Sequence, residues 1–331
     1  MARNLWTGGL ILKPEELVAL LKDHNVYIQT HNFPDPDAIA SAFGLQNFLK
    51  HYGIESTLCY YGRIDKLSTR RMLSTFGIEI YSKEELADMQ DEDYIINVDS
   101  QKNNANVMDF IGKEVACIDH HPTFVEADYK YRDIRIVGSC ATLIAEYYKV
   151  CGVPVDANTA SALCYGIKMD TADFSRGVTD LDVAMFAYLY PNADKDKFAS
   201  MFSNTMEFKD LKAYGAAIES IKIFEHTGFS YIPFECPDAL IAMISDFILA
   251  LNVVDVSVVY ASRDNGLKFS VRSENKSVNA GRITYHALED IGSGGGHQAM
   301  AGGFVDQVNM VKLEPEIHLN IQKRFLDAIG R

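Results

Sequence analysis

The chain has 331 residues, of which 48% are hydrophobic, and a formal net charge of −14 at pH 7. This length predicts two domains with ample core. The acidic charge excludes a protein that coats long nucleic acid, because neutralising phosphates needs a basic face, whereas small phosphorylated ligands need only a few local cations.

Strands and helices alternate along the first half of the chain. Pro14 occupies a first helical position ahead of an apolar face, so a helix precedes the first strand. The charge-rich stretch 83–93 predicts a solvated surface helix. Apolar, alternating strands predict an α/β fold with a mostly parallel sheet covered by helices. We predict strands near 26–30, 56–61, 94–99, 115–119 and 133–137, and helices over 38–52, 67–76, 141–150 and 158–168.

The pattern changes after residues 190–195, where helical segments follow up to about residue 224. Two β runs, 254–262 and 267–273, flank Arg263-Asp264-Asn265-Gly266, which is a strong hairpin signal. A helix over 280–291 then leads into a glycine-rich run that ends at His297. We therefore predict three parts: residues 1–195, a helical connector over 196–225, and residues 226–331.

Cellular location is predicted from short apolar runs and from the cysteines. Leu10-Ile11-Leu12 is interrupted by Lys13-Pro14 and is too brief for a secretory leader, and the run 239–251 is too short to span a bilayer. The six cysteines form no C-x-x-C pair, which is typical of a reduced cytosolic protein. We expect a soluble, cytoplasmic protein.

Three candidate metal ligands lie in the stretch Gln29–Ser41, which follows the first strand and begins the next helix. They are His31, Asp35 and Asp37. Two prolines alternate with the aspartates and stiffen this turn. An imidazole and two carboxylates on such a turn can bind divalent cations. An acidic helix cap with turn prolines remains the alternative.

Further carboxylates and imidazoles follow other strand and helix ends. Asp99 follows one predicted strand, Asp119-His120-His121 ends another, and Asp170 ends an apolar helix. Each alone also fits a helix cap or a surface turn, but side chains at the carboxyl edge of one parallel sheet converge. Carboxylates with some histidine favour Mn²⁺, with Mg²⁺ or Co²⁺ as substitutes, and the absence of cysteine ligands argues against structural zinc.

These motifs, in this order, resemble the four motifs of the DHH phosphoesterase superfamily. Gly294-Gly295-Gly296-His297 with Ala301-Gly302-Gly303 resembles the signature of the companion DHHA1 domain. The resemblance covers almost the whole chain. Within the superfamily, the chain is similar to the nano-RNase and 3′-phosphoadenosine 5′-phosphate (pAp) phosphatase branch. Pro36 and Ala40 stand where many members have glycine, so the turn is stiffer and no ligand is lost.

The resemblance implies a site for two divalent metal ions. His31, Asp35 and Asp99 would hold one ion. Asp37, Asp99, His120 and Asp170 would hold the other, with Asp99 bridging. A water activated by two ions about 4 Å apart would attack the phosphate. His121 would face the substrate phosphate, and Asp119 would orient a ligand.

The resemblance also implies that residues 1–195 form the catalytic DHH domain and 226–331 a smaller substrate-binding α/β DHHA1 domain with a mixed sheet, separated by a cleft. Arg272 and Ser273 resemble the family's substrate-binding pair, and a guanidinium can bind phosphate bidentately. The run Gly294–Gly296 would let backbone N–H groups approach an anion, and His297 would add a donor.

The implied activity is hydrolysis of short nucleotides, either nano-oligoribonucleotides or pAp. Alternatives are a phosphodiesterase acting on cyclic or linear dinucleotides, and a nucleotide-binding sensor without turnover. Pyrophosphatase or exopolyphosphatase activity is disfavoured, because the pyrophosphatases of the superfamily lack the Gly-Gly-Gly-His signature. We expect no long nucleic acid and no membrane as partners. The sequence leaves open a homodimer, the preferred substrate, the cleavage polarity and the native metal.

Overall fold

The computed structural model describes residues 13–64, 66–203 and 206–330. The chain divides into two compact units, residues 1–205 and 206–331. The predicted domain limits at 195 and 225 stay predictions, and the run 10–12 lies outside the described residues. Each unit is built around its own sheet.

The first unit contains six parallel strands in the order β3-β2-β1-β4-β5-β6. The strands are β1 Val26–Gln29, β2 Ser56–Tyr60, β3 Tyr81–Ser82, β4 Tyr94–Val98, β5 Lys113–Asp119 and β6 Tyr131–Ile134. The helices are α1 Pro14–Leu21, α2 Pro36–His51, α3 Leu67–Phe76, α4 Cys140–Cys151, α5 Ala157–Asp170, α6 Asp180–Leu189 and α7 Lys195–Ser200. The predicted parallel sheet is confirmed, and the strand order reverses between β1 and β4. In open α/β sheets, such a switch point opens a crevice at the carboxyl ends of the strands.

The two faces of this sheet are covered differently. Ile96 and Val98 of β4 belong to a large core that includes residues of α2, α4 and α5. Ile95, which points to the opposite face, packs in a small cluster with Met89 and Phe110, both from loops. Helices therefore cover one face and loop residues cover part of the other.

The predicted surface helix over residues 83–93 is wrong. Only Lys83–Glu85 form a single 3₁₀ turn, closed by a capping box between Ser82 and Glu85. Asp93 is buried, and its carboxylate accepts hydrogen bonds from the Gln90 N–H and the Asn25 side chain. An acidic side chain that bonds nearby backbone stabilises a turn at the expense of a helix.

The second unit contains a mixed sheet in the order β11-β12-β10-β9-β8-β7, in which only β8 and β9 pair in parallel. The strands are β7 Lys222–Phe224, β8 Thr227–Ile232, β9 Val256–Arg263, β10 Gly266–Ser273, β11 Gly292–Gly296 and β12 Met300–Asp306. The helices are α8 Leu211–Ser220, α9 Asp238–Leu249, α10 Ala280–Leu288 and α11 Ile317–Ile329. One face packs against α8 and α9 and the other against α10 and α11. The predicted mixed sheet is confirmed.

Two local predictions in the second unit have different outcomes. The β9–β10 hairpin forms around Arg263-Asp264-Asn265-Gly266 as predicted. The predicted helical connector is wrong at its end, because residues 222–224 form β7 and pair with β8. The glycine run is an edge strand, β11, in which Gly294 and Gly295 face Gly303 and Gly302 of β12.

Within the described ranges, the structure has no helix whose length and apolar character would suffice to cross a membrane. The six cysteines are free thiols, and all except Cys151 are buried. Burial raises the pKa of each of these thiols. Buried thiols of this kind act as small apolar side chains.

Candidate metal centre

The turn between β1 and α2 positions the first two predicted ligands. Asp35 caps α2, and its Oδ1 accepts the N–H groups of Asp37 and Ala38 at 2.9 and 3.1 Å. His31 Nδ1 donates to the Asn32 carbonyl at 2.8 Å, which leaves Nε2 directed to the carboxylates. That Nε2 lies 3.9 Å from Asp35 Oδ1 and 3.7 Å from Asp99 Oδ2. Asp35 is therefore both a helix cap and a candidate ligand.

Asp99 is the first residue after β4, at the switch point of the sheet. Its side chain is 3% exposed, and its backbone has a φ of +55°, in the left-handed region. Its N–H donates to the Ile118 carbonyl at 2.9 Å, which ties this strained residue to the neighbouring strand. Aspartate tolerates this conformation better than most residues, and strain of this kind clusters at functional sites.

Asp37 is held by the first turn of α4. Its two carboxylate oxygens accept the backbone N–H groups of Cys140 and Ala141 at 2.7 and 3.0 Å. These donors are unpaired helix-terminal groups, so a carboxylate satisfies them and the helix dipole together. His120 Nε2 lies 4.0 Å from Asp37 Oδ2 and 3.3 Å from Asp170 Oδ2. Asp37 joins α2 and α4 while it faces the candidate site.

The three side chains of Asp119-His120-His121 make different contacts. His120 Nδ1 donates to the Val137 carbonyl at 3.0 Å, which leaves Nε2 for a ligand. Asp119 accepts hydrogen bonds from Gln101 Nε2, the His120 N–H and His121 Nδ1 at 2.6, 2.8 and 3.0 Å. His121 is 55% exposed. Asp119 is thus fully engaged in orienting its neighbours, and His121 is accessible.

Ligand atoms within 4.8 Å of one another form three groups in the part of the chain that the structure describes. The groups are His31, Asp35 and Asp99; Asp37, His120 and Asp170; and Asp99, Asp119, His120 and His121. The first two groups, with Asp99 added to the second, are the two ligand sets that the resemblance implies. The structure brings together all the first-unit candidates that follow strand and helix ends, namely His31, Asp35, Asp37, Asp99, Asp119, His120, His121 and Asp170.

Two buried atoms at this site fit a cation. Asp99 Oδ1 and His120 Nε2 are 3.3 Å apart, yet neither has an acceptable hydrogen bond to any described residue. Leaving such groups buried and unpaired is costly, so native structures normally supply a partner. Oxygen and imidazole donors that converge in this way suit Mn²⁺, so the residues present fit a metal.

The buried carboxylates and imidazoles of the site shift one another's pKa values. Burial lowers the pKa of His120, but contacts with Asp99, Asp37 and Asp170 override it and raise the pKa to about 11. Burial also lowers the pKa of His31, but contacts with Asp35 and Asp99 override this effect and raise the pKa to about 9. Burial and neighbouring carboxylates raise the pKa of Asp170 to about 6 and that of Asp37 well above its usual value. Without metal, protons balance the crowded carboxylates.

The predicted substrate residues of the second unit lie on and beside β10 and β11. Arg272 Nε donates to Asp246 Oδ1 at 2.7 Å, and Nη1 reaches Ser270 Oγ and the Val271 carbonyl, both at 3.1 Å. The Ser273 hydroxyl lies near the Asn275 and Val278 carbonyls, at 3.2 and 2.8 Å. Their roles in binding substrate stay predictions.

The glycine run forms the edge strand β11, which pairs with β12, and its role in binding an anion stays a prediction. Gly296 has a φ of +154°, and its carbonyl lies against Gly281 at the start of α10. The exposed His297 donates its backbone N–H to the Met300 carbonyl at 2.8 Å and accepts the Gly281 N–H at 2.9 Å. The glycines therefore let strand and helix backbones approach closely.

Residues 25–167 match the family described as DHH family, N-terminal domain, and residues 229–318 match the DHHA1 domain. The chain belongs to the DHH family. The candidate metal residues from His31 to His121 lie inside the matched DHH domain, and Asp170 lies just beyond its end. Arg272, Ser273 and the glycine run lie inside the DHHA1 domain.

Three similar proteins place this DHH-family chain among its relatives. An uncharacterized protein of Methanocaldococcus jannaschii is 26% identical over 92% of this chain and 64% of its own length. A probable manganese-dependent inorganic pyrophosphatase of Streptococcus pyogenes is 28% identical over 43% of this chain and 46% of its own length. The crystal structure of an exopolyphosphatase-related protein from Bacteroides fragilis has a TM-score of 0.71 at 17% identity and covers 95% of this chain and 96% of that one. The chain spans less than two thirds of the length of both curated relatives, and the structural likeness shows a shared fold.

Several residues that support the DHH site were not predicted from the sequence. Gln101 donates to Asp119, and Arg176 Nη2 donates to the Asp170 carbonyl at 2.8 Å while lying 3.7 Å from its Oδ1. In the DHHA1 domain, Asp246 holds Arg272. No spacing signal marks these residues, because each acts through a contact that only the fold creates.

We expect Mn²⁺ binding to the DHH domain to release protons and to strengthen as pH rises. The raised pKa values of His31, about 9, and His120, about 11, mean that both imidazoles carry protons at pH 7, and a ligand imidazole must lose its proton. Calorimetric titration in buffers of different ionisation enthalpy should give a net release of at least about one proton per chain. An affinity that stays constant between pH 6 and 9 would contradict this assignment.

Two adjacent glycines of the DHHA1 domain should respond differently to alanine. A Cβ on Gly296 would lie 2.4 Å from the Met300 carbonyl oxygen in a backbone with positive φ, so Gly296→Ala should cost about 2 kcal/mol of unfolding free energy. A Cβ on Gly295 meets no atom within 4 Å, so Gly295→Ala should change stability little. Urea unfolding of both variants checks this, and equal losses would contradict the close packing.

Proposed function

We propose that this protein is a two-metal-ion phosphoesterase that hydrolyses phosphate ester bonds of short nucleotides, either nano-oligoribonucleotides or pAp. The observation that carries the proposal is the pair of buried, unpaired atoms Asp99 Oδ1 and His120 Nε2 where two complete ligand sets meet. Two divalent ions, with Mn²⁺ expected, would be held by His31, Asp35 and Asp99 and by Asp37, Asp99, His120 and Asp170. When bound, such ions activate water and neutralise phosphate charge.

The residues around these ligands support hydrolysis over passive binding. Asp119 fixes His121 through a 3.0 Å hydrogen bond, and this contact raises the pKa of His121 above its ordinary value. An exposed imidazole that is oriented in this way can donate a hydrogen bond to a phosphate oxygen. We assign His121 this role, and Asp119 the role of positioning it.

The DHHA1 domain offers further groups that could bind parts of an ester substrate. Arg272 is held at Nε and Nη1, so its remaining Nη2 hydrogens are oriented for an anion. The exposed His297 and Gly295 lie in the same domain. The pyrophosphatase match extends over 145 residues, too few to reach from the start of the DHH match to the end of the DHHA1 match. We therefore propose a nucleotide as the substrate in preference to pyrophosphate, and leave the choice to the assay.

A substrate panel tests the proposal. Purified protein in Mn²⁺ should hydrolyse pAp or RNA of two to five residues, and should leave long RNA and pyrophosphate nearly intact. Linear and cyclic dinucleotides test the alternative phosphodiesterase activity. Tight nucleotide binding without turnover of any substrate would favour a sensor and overturn the proposal.

Arg272→Ala should weaken substrate binding more than it slows turnover. Loss of a charge-assisted hydrogen bond to phosphate should raise KM roughly 10- to 100-fold. Arg272→Lys keeps the charge but loses the planar guanidinium, so its KM should lie between those of the wild type and Arg272→Ala. Steady-state kinetics on the best panel substrate measures this, and an unchanged KM would remove Arg272 from the substrate site.

A further inference from the structure

An exposed aromatic side chain lies inside the metal-binding turn. Phe33 stands two residues after His31 and two before Asp35, and it is 60% exposed. Its backbone has a φ of +56°, which is rare for a bulky residue. The sequence pattern did not single out Phe33, because one aromatic residue in a turn gives no periodic signal.

Contacts from two other loops fix this strained conformation. The Phe33 N–H donates to the Tyr61 carbonyl at 2.9 Å, and the Asn32 N–H donates to the Asn106 carbonyl at 2.7 Å. The Asn32 side chain also accepts the Met108 N–H at 2.9 Å. The backbone that carries the ring is therefore held on both sides.

One side of the ring rests on a glycine. A Cβ on Gly62 would lie 2.7 Å from a Phe33 ring carbon, so the ring occupies the space that a side chain at residue 62 would need. The rest of the ring remains open to solvent. What distinguishes Phe33 from other exposed aromatic residues is its strained backbone, held by hydrogen bonds beside the candidate ligands, and strain of this kind clusters at functional sites.

We propose that Phe33 stacks on a nucleobase of the substrate and so determines specificity for nucleotides over base-free phosphate esters. The inference rests on the proposed function, and it names the part of the substrate that this turn recognises. Rigid aromatic rings bind bases of any sequence, because every base has a π face. The expected ligand is therefore a short nucleotide without strong base preference.

Kinetics on matched substrates test the stacking. Phe33→Leu keeps an apolar side chain but removes the π face, and should lower kcat/KM for a two-residue RNA roughly 5- to 150-fold, mainly through KM. The same variant should leave the rate on an abasic analogue of that dinucleotide unchanged. Phe33→Tyr should resemble the wild type. The control Phe208→Leu changes a residue that is 89% exposed in the second unit and should have no effect.

Equal losses on the RNA and its abasic analogue would overturn the stacking role, as would no loss on either. A binding signal separates this inference from the proposed function. Trp6 is the one tryptophan of the chain, so a Trp6→Phe, Phe33→Trp variant carries a single reporter at residue 33. Adenosine 5′-monophosphate in Mg²⁺ should quench its emission and inorganic phosphate should not. Unquenched emission overturns stacking, whereas quenching without RNA hydrolysis by the wild type supports stacking and overturns only the proposed activity.

Discussion

Replacing Asp99 with asparagine should reduce hydrolysis on the order of 10³-fold, because we assign this carboxylate to both proposed ligand sets and metal charge stabilisation contributes several kcal/mol to such reactions. Asparagine also tolerates the left-handed backbone of residue 99, so the fold should be retained. Initial rates in saturating Mn²⁺ measure the effect. Retained turnover would contradict the bridging assignment.

Thermal unfolding provides the control for Asp99→Asn. In the metal-free protein the variant should stay folded, because removing the Asp99 charge relieves its repulsion of Asp37 and Asp170 while it removes its attraction to His31 and His120. The rise in Tm on adding Mn²⁺ should shrink, since a ligand that binds only the folded state stabilises it more the more tightly it binds. Asp99→Ala should lose some further stability from backbone strain.

Asp37→Ala should reduce both activity and stability. The Asp37 carboxylate accepts two buried N–H groups at the start of α4, and its removal leaves both donors unpaired. Each unpaired donor costs about 1–3 kcal/mol, so metal-free protein should lose about 2–6 kcal/mol of unfolding free energy. Urea unfolding in EDTA measures this loss.

Asp170→Ala is the matched control, because Asp170 belongs to the same ligand group but no backbone N–H within α4 depends on it. This variant should lose activity as severely as Asp37→Ala and much less stability. Equal stability losses in the two variants would show that the Asp37 contacts with α4 contribute little. The stability of Asp37→Asn, which keeps one acceptor oxygen, should lie between the stabilities of Asp37→Ala and Asp170→Ala.

Local chemistry predicted which side chains come together at the candidate metal centre. The prolines and aspartates of the turn before α2 specify both a helix start and a set of candidate ligands, and in the structure Asp35 caps α2 and lies close to His31 and Asp99. The convergence of Asp99 with Asp119 and His120 followed from the parallel sheet, because strand ends meet at one edge. The family resemblance added the division into two ligand sets.

Features that depend on distant partners were not predictable. The positive φ of Asp99 is held by the neighbouring strand, and the glycine run is a strand because it pairs with Gly302 and Gly303. A run of glycines has no hydrophobic periodicity that would indicate its pairing with Gly302 and Gly303. The prediction of a helix over 83–93 is wrong because Asp93 bonds both to the nearby Gln90 N–H and to Asn25, far away in the sequence.

The most direct test of the two-ion account is to count bound Mn²⁺ while measuring hydrolysis of a two-residue RNA. The account predicts two ions per wild-type chain, activity that appears as the second ion binds, and fewer than two ions in Asp99→Asn. One ion at full activity, or hydrolysis that persists in EDTA, would contradict it.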